Sequence, residues 1–268
     1  MSLMDGVSYA GNSDPAMILI YGEAGVGKTT AAASFPNPVF ILTEEAKGGF
    51  RLPAVNNGRP ISSLNQLDDW LRKLMLDDHN FETLVIDSIT GLDPILCGDV
   101  ARENGWFSQD GSPSIAAADH GKGYMKMDDE WVSTLKRLKG LCVHRKMNVI
   151  LIGHAEVKSV SPPGGESYDE YRLAVHKRVK KFIEAVPDSV VFLRKKIVVR
   201  DAGNGNRKIA SGGRMREACF DGEAAYFAKK LPGMPDQMFV QEGEFFQKVK
   251  DFLPNYTGTL PVEPVAAE

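Results

Sequence analysis

The stretch GEAGVGKTT at residues 22–30 constrains this chain more than any other feature. It fits the pattern Gly-x4-Gly-Lys-Ser/Thr, in which backbone N–H groups curl around a chain of phosphates. The apolar run at 17–21 predicts a buried strand just before it, and residues 29–34 predict a helix that ends before Pro36. A strand, a glycine-rich loop and a helix in this order predict a nucleotide-binding P-loop rather than a turn without a ligand.

The P-loop pattern gives roles to individual side chains. Lys28 is expected to reach the β- and γ-phosphates, and the hydroxyl of Thr29 is expected to bind Mg²⁺. We therefore expect ATP and Mg²⁺ as cofactors. The predicted nucleotide-binding residues are Gly22, Glu23, Ala24, Gly25, Val26, Gly27, Lys28, Thr29 and Thr30.

Two acidic residues follow apolar runs that read as strands. Asp87 follows "TLVI" and is expected to hold Mg²⁺ through water, together with Thr29. Glu44 follows "VFILT" and is our candidate for the base that orients or deprotonates the attacking water. Glu45 is the alternative, since a shift of one residue would exchange the two.

The remaining pattern alternates strands with helices. Further strands are predicted at 39–43, 84–87, 149–152, 189–195 and 196–201, and helices at 63–76, 124–143, 173–185 and 243–252. Long loops are predicted at 105–123 and 158–168, and a hairpin turn at 202–206. This predicts an α/β fold with a mainly parallel sheet flanked by helices, and a C-terminal hairpin adding antiparallel strands at one edge.

The 268 residues, 43% of them hydrophobic, suffice for one large domain. We expect a flexible arm at 1–15, the main domain at 16–253 and a disordered tail at 254–268. With neither a membrane span nor a secretory leader expected, the predicted location is the cytoplasm. The three cysteines are odd in number and far apart, which predicts core residues rather than disulfides or a zinc site.

Basic residues are concentrated in one segment. Residues 172–216 contain 13 Lys and Arg against 3 Asp and Glu, although the whole chain carries a net charge of −3. Such asymmetry is typical of a surface that faces a polyanion, and the alternatives are solvated faces or subunit contacts. The candidates for nucleic-acid contact in its predicted helix are Lys177, Arg178, Lys180 and Lys181.

The segments GEAGVGKTT, FILTEE, LVIDSITGL and VILIGHAEVK together resemble the RecA-type recombinases and related hexameric helicases. The closest resemblance is to the phage-type, single-domain RecA-like P-loop ATPases, a recombinase and AAA ATP-binding family. It covers about residues 17–253 and implies a RecA-like ATPase domain. It also implies ATP hydrolysis coupled to single-stranded DNA in recombination, annealing or repair, within the host cytoplasm if the protein is phage-encoded.

The resemblance implies roles for further residues. His154 stands where the family has a polar residue that senses the γ-phosphate, although Gln or Asn is more usual there. The two long loops fall where the family binds DNA, which implicates Lys122 and Lys158. The stretch EAAYFAKKLPGMPD resembles a turn inserted into a neighbour's active site, which implicates Lys229 and Lys230, although Leu231 replaces a common arginine.

The family also implies a homo-oligomer, as a filament or a ring, and a single-strand-binding protein as a further partner. Two other functions fit the same motifs. A helicase-like motor or loader would unwind a forked duplex, and a nucleotide or small-molecule kinase would pass phosphate to a small acceptor.

Overall fold

Strands and helices alternate along the chain in the computed structural model, which describes residues 13–45, 51–201 and 208–257. Its strands are β1 (Met17–Gly22), β2 (Pro38–Leu42), β3 (Thr83–Asp87), β4 (Asn148–Val160), β5 (Tyr168–Leu173), β6 (Ser189–Asp201), β7 (Lys208–Cys219) and β8 (Gln237–Val240). Its α-helices are α1 (Lys28–Ala33), α2 (Leu64–Leu76), α3 (Ile89–Glu103), α4 (Lys122–His144), α5 (Lys177–Ala185), α6 (Phe245–Val249) and α7 (Pro254–Thr257).

The strands form one mixed sheet in the order β2-β3-β4-β1-β6-β7-β8, and β5 pairs with β4 off this path. Every neighbouring pair from β2 to β6 is parallel. The pairs β6–β7, β7–β8 and β4–β5 are antiparallel. The predicted fold class is confirmed: a mainly parallel sheet with helices on both faces and antiparallel strands at its C-terminal edge.

Alternation along the buried strands divides the core in two. On one face, Met17, Leu19 and Tyr21 of β1 pack in a cluster that includes residues of α2, α3, α4 and α5. On the other face, Ile18 and Ile20 pack with residues of α1 and α6. Successive side chains point to opposite faces of a strand, so a continuous apolar run is what a sheet covered on both faces requires.

Three predictions about the elements after β4 are wrong. β4 runs on to Val160, and Tyr168–Leu173 forms β5 against it, with Ala155 opposite Leu173. The helix predicted from Leu173 therefore begins only at Lys177. The strands predicted separately at 189–195 and 196–201 are the single strand β6, which bends at a register shift between Lys195 and Ile197.

Other expectations concern the ends and loops. The loop predicted at 105–123 contains 3-10 turns at Ile115–Ala117 and Asp119–Gly121. Residues 1–12, 202–207 and 258–268 lie outside the described residues, so most of the predicted arm, hairpin turn and tail is not described. Within the tail, Pro254–Thr257 forms one helical turn. Cys142 and Cys219 are buried and Cys97 is half-buried.

Among the helices of the described residues, none combines the length and the apolar character that crossing a bilayer requires.

Candidate active site

The P-loop joins the buried strand β1 to α1, and its backbone needs glycine. Gly27 has φ +100°, in the left-handed region that residues with a Cβ rarely adopt. Gly22 lies so close to β6 that an added Cβ would stand 2.1 Å from the carbonyl oxygen of Leu193. Both positions therefore require glycine for conformation or for close packing of the chain.

Lys28 curls back over the loop that precedes it. Its side chain is buried, and Nζ donates hydrogen bonds to the carbonyl oxygens of Gly22 at 2.9 Å and Glu23 at 2.8 Å. Burial lowers the pKa of Lys28 from 10.5 to about 8, against the opposing pull of the carboxylates of Asp87 and Glu44. The loop therefore holds an ammonium group that is short of solvation, and phosphate oxygens would relieve that shortage.

Thr29 and Asp87 form a pair of oxygen ligands at the C-terminal end of β3. The Thr29 hydroxyl donates to Oδ2 of Asp87 at 2.8 Å. Burial raises the pKa of Asp87, while the Thr29 hydrogen bond and the nearby His154 and Lys28 oppose that rise. A hydroxyl beside a carboxylate is a set of hard oxygen donors, which fits Mg²⁺ and leaves its other positions for phosphate and water.

Glu44 lies two residues beyond β2 and faces the end of β3. The Ser88 hydroxyl donates to Oε1 of Glu44 at 2.7 Å. The neighbouring Thr43 links the ends of β2 and β3. Its hydroxyl group accepts a hydrogen bond from the N–H of Ser88 at 2.8 Å and donates one to the Ser88 carbonyl oxygen at 2.7 Å. The hydrogen bond from Ser88, which directly follows β3, therefore fixes the orientation of the Glu44 carboxylate.

His154 lies between the P-loop lysine and this carboxylate. Its Nδ1 is 3.5 Å from Nζ of Lys28, and its Nε2 is 3.7 Å from Oε1 of Glu44. Its backbone N–H donates to the hydroxyl of Thr90 at 2.9 Å. The imidazole therefore bridges the cation that would hold the terminal phosphates and the carboxylate that would act on water.

Strand register explains why these residues converge. Leu42 pairs with Asp87, Asp87 pairs with Ile152, and Gly22 pairs with His154 across the parallel ladders. The carboxyl ends of β1, β2 and β3 therefore meet beside residues 152–154 of β4 at one edge, where ligands of open α/β sheets bind.

An open cavity of ≈ 290 Å³ lies at this edge. Two of its charged lining residues, Arg216 and Glu242, were missed from the sequence, because only the pairing of β7 with β6 and β8 brings them to the P-loop. Glu45 also lines the cavity, but it is Glu44 that contacts Ser88 and His154. The lining residues are Ala24, Gly25, Gly27, Lys28, Thr29, Thr30, Leu42, Glu44, Glu45, Leu52, Asp87, His154, Arg216 and Glu242.

The predicted neighbour-activating lysines are absent from the residues lining this cavity. Nζ of Lys229 donates to the carbonyl oxygen of Ala185 at 3.0 Å, and burial lowers the pKa of Lys229. Nζ of Lys230 pairs with Asp236 at 2.6 Å and with Asp221 at 2.9 Å. The structure gives both lysines contacts within their own chain and places neither in its own site.

The six cations predicted to contact nucleic acid lie on α4, α5 and the β4–β5 pair, which adjoin one another. The ring of Tyr124 on α4 stacks on His176 at the start of α5, with 5.2 Å between ring centroids. Lys158 on β4 lies opposite Glu170 on β5, and Lys180 of α5 is 3.9 Å from the same glutamate.

Half of these cations are paired with carboxylates. Arg178 pairs with Asp128 at 2.7 Å, Lys158 with Glu156 at 2.8 Å, and Lys180 with Glu184 at 3.5 Å. Lys122, Lys177 and Lys181 are exposed. Among the aromatic residues of the two predicted long loops, Phe107 and Tyr168 are exposed, whereas Trp106 packs against the core.

Comparison with known proteins gives one family. A family model described as an AAA domain matches residues 14–230, most of the chain. Among curated proteins, none matches significantly.

Proposed function

This chain belongs to the AAA domain family of P-loop ATPases, and we propose that it hydrolyses ATP with Mg²⁺ while acting on single-stranded DNA. The step in DNA metabolism is recombination, annealing or repair of the phage type. One observation carries the ATPase part of the proposal: five side chains suited to bind phosphate and Mg²⁺ or to act on water meet at one edge of the sheet. They are Lys28, Thr29, Glu44, Asp87 and His154.

The phosphate end of the site follows from the contacts of Lys28 and Thr29. Lys28 moves its ammonium from two loop carbonyls towards the β- and γ-phosphates, which compensate its charge better than neutral carbonyls do. Thr29 and Asp87 would hold Mg²⁺, which neutralises charge that develops on the phosphates. Both residues already lie against each other, so the site needs little rearrangement.

Glu44 is placed to act on the attacking water. Its carboxylate is half-exposed at the cavity, and the Ser88 hydroxyl holds one of its oxygens. Water hydrogen-bonded to the other oxygen would be oriented towards the γ-phosphate and would give up its proton to Glu44. His154, between Glu44 and Lys28, would register whether the γ-phosphate is present.

The DNA part of the proposal is supported by the exposed cations of α4 and α5. The contacting N-terminal parts of these helices present Lys122 and Lys177, and Lys181 follows one turn later. These three exposed ammonium groups are suited to phosphates of a DNA backbone, which carry no sequence information. Arg178 and Lys180 would first have to leave their carboxylate partners.

Assembly into a filament or ring is part of the proposal, with Lys229 or Lys230 completing a neighbour's site. For Lys230, this requires exchange of Asp221 and Asp236 for phosphate oxygens. These carboxylates lie on the exposed surface, where such pairs contribute little to stability, so the exchange is energetically accessible.

One experiment tests the central proposal: the rate of ATP hydrolysis with and without single-stranded DNA, together with the particle mass. We expect turnover that single-stranded DNA stimulates, from an assembly larger than one chain. Transfer of phosphate to a small acceptor would instead identify a kinase, and unwinding of a forked duplex would identify a helicase-like motor.

A salt titration tests the DNA surface separately. Three phosphate contacts predict a slope of log affinity against log salt of about −2, at about −0.7 per contact. Lys177→Glu with Lys181→Glu should flatten the slope and weaken binding, with no change in ATP affinity. The matched control is Lys73→Glu with Lys248→Glu, at exposed lysines of α2 and α6. An equal effect of both pairs would contradict a surface on α4 and α5.

A further inference from the structure

Arg216 lies on β7, and the alternation of that strand places it over the P-loop. Ala218 and Phe220 belong to the core cluster that contains α1, whereas Cys219 belongs to the cluster on the opposite face. Side chains two residues apart share a face, so Arg216 points to the side where the P-loop and α1 lie.

The guanidinium of Arg216 is fixed against the loop. Its Nε–H donates to the carbonyl oxygen of Val26 at 2.9 Å. A Cβ added at Gly27 would stand 2.6 Å from the same nitrogen, so this approach depends on glycine at that position. Arg216 is thus a second basic side chain against the loop that contains Lys28.

Within the described residues, this cation has only a weak acidic partner. Nη2 of Arg216 is 3.4 Å from Oε2 of Glu242, whose side chain is 63% exposed. At this distance, and with the carboxylate exposed to solvent, the pair contributes little. A guanidinium has five N–H donors in a planar fork, which matches two phosphate oxygens better than a single exposed carboxylate at that distance.

The strand order determines which part of a nucleotide Arg216 can reach. Asp87, His154 and Glu44 lie on or beyond β3, β4 and β2, to one side of β1. Arg216 lies on β7, to the other side of β1, and lines the cavity together with Gly27 and Thr30. The Mg²⁺ and attacking-water end of the site is therefore the end away from Arg216.

We infer that Arg216 is a further nucleotide-binding residue, which contacts the α- and β-phosphates and so holds ADP as well as ATP. Glu242 pairs with the guanidinium while the site is empty, and the phosphates replace Glu242 when the nucleotide binds. The inference rests on the proposed nucleotide site and deepens it, because it adds a cation that acts in binding rather than in the chemical step.

The test measures the ADP and ATP affinities of Arg216→Gln by calorimetry. It also measures the KM and kcat of ATP hydrolysis. Losing a charge-assisted hydrogen bond to phosphate should weaken both nucleotides by a similar factor, about 10- to 100-fold. Because the contact is equal in ground state and transition state, KM should rise while kcat stays within about threefold.

Three further variants make the result specific. Lys195 is exposed and pairs with Arg216 across β6 and β7. Lys195→Gln removes the same charge, and its ADP affinity should stay within about twofold of that of wild type. Glu242→Gln should tighten ADP by up to about fivefold, since it removes the competing carboxylate. Arg216→Lys keeps the charge but lacks the planar fork, so its ADP affinity should lie between those of wild type and Arg216→Gln. This variant keeps the inference testable if Arg216→Gln does not fold.

Two results would overturn the inference: unchanged ADP affinity in Arg216→Gln, or a loss confined to ATP or to kcat. Lys28→Ala is measured in parallel as a test of the nucleotide site itself. Unchanged ADP affinity in that variant would reject the proposed function, whereas loss in Lys28→Ala with none in Arg216→Gln would reject only the role of Arg216.

Discussion

The lowered pKa of Lys28 predicts that nucleotide affinity falls as the pH rises above 8. Burial lowers this pKa from 10.5 to about 8. The loop therefore disfavours the charged form of Lys28 by about 3 kcal/mol relative to water. Phosphate groups favour the charged form and raise the pKa again when they bind. Binding therefore takes up a proton wherever free Lys28 is neutral and bound Lys28 is charged.

The sign and size follow from this linkage. Below pH 7 the free protein already carries the proton, so affinity is constant with respect to this group. At pH 8 about half of the molecules lack it, and each binding event should take up about half a proton. Between pH 7 and pH 9 the affinity should fall about tenfold, approaching one factor of ten per pH unit.

Calorimetry with ADP measures this effect without hydrolysis, and repeating it in buffers of different ionisation enthalpy gives the proton uptake. The terminal phosphate has a second pKa of about 6 and stays ionised over this range. Lys28→Arg is the control, because guanidinium does not titrate below pH 12. Wild-type affinity that stays flat from pH 7.5 to 9.5, with no proton uptake, would refute the assignment of a buried, titrating Lys28.

Two further predictions concern hydrolysis. Glu44→Gln should bind ATP as wild type does but release phosphate at least about 100-fold more slowly. If Glu45→Gln shows that loss in the same assay, the base lies one residue further on. Lys229→Ala, Lys230→Ala protein mixed with Lys28→Ala protein should regain turnover, since a neighbour's cation can contribute about a thousand-fold. No recovery at any ratio, with both variants assembled, would exclude a shared site.

The ends of the parallel strands could be predicted from sequence because apolar runs are a local signal. Asp87 and Glu44 each follow such a run, and parallel strands bring their carboxyl ends to one edge, so both were expected near Lys28. Their hydrogen-bond partners were not predictable. Ser88 looks like any helix cap in sequence, and only the fastening of β2 to β3 by Thr43 places it beside Glu44.

The antiparallel part of the sheet was predicted less well. Arg216 lies 188 residues after Lys28, and its position over the P-loop depends on the pairing of β7 with β6 and of β6 with β1. A count of basic residues likewise could not reveal that Arg178 and Lys180 meet Asp128 and Glu170, which come from other elements. Sequence gives the charge of a segment, while the fold decides how much of it remains for a ligand.

β4 offers a physical connection between the proposed nucleotide site and the proposed DNA surface on α4 and α5. The imidazole of His154 faces Lys28 and Glu44. The backbone carbonyl oxygen of His154 accepts a hydrogen bond from the N–H of Ala174 at 2.8 Å, and Ala174 lies three residues before α5. A shift of His154 when the γ-phosphate binds would therefore displace the segment that leads to Lys177.

Linkage makes this connection measurable, because the factor by which ATP changes DNA affinity must equal the factor by which DNA changes ATP affinity. His154→Ala removes the imidazole but keeps the backbone bond to Ala174. It should therefore retain ATP binding and DNA binding separately while both coupling factors fall towards one. The control Thr90→Val removes the hydroxyl that accepts from the His154 N–H and leaves the imidazole in place, so it should keep most of the coupling. Coupling factors in His154→Ala equal to those of wild type would mean that the signal does not pass through this residue.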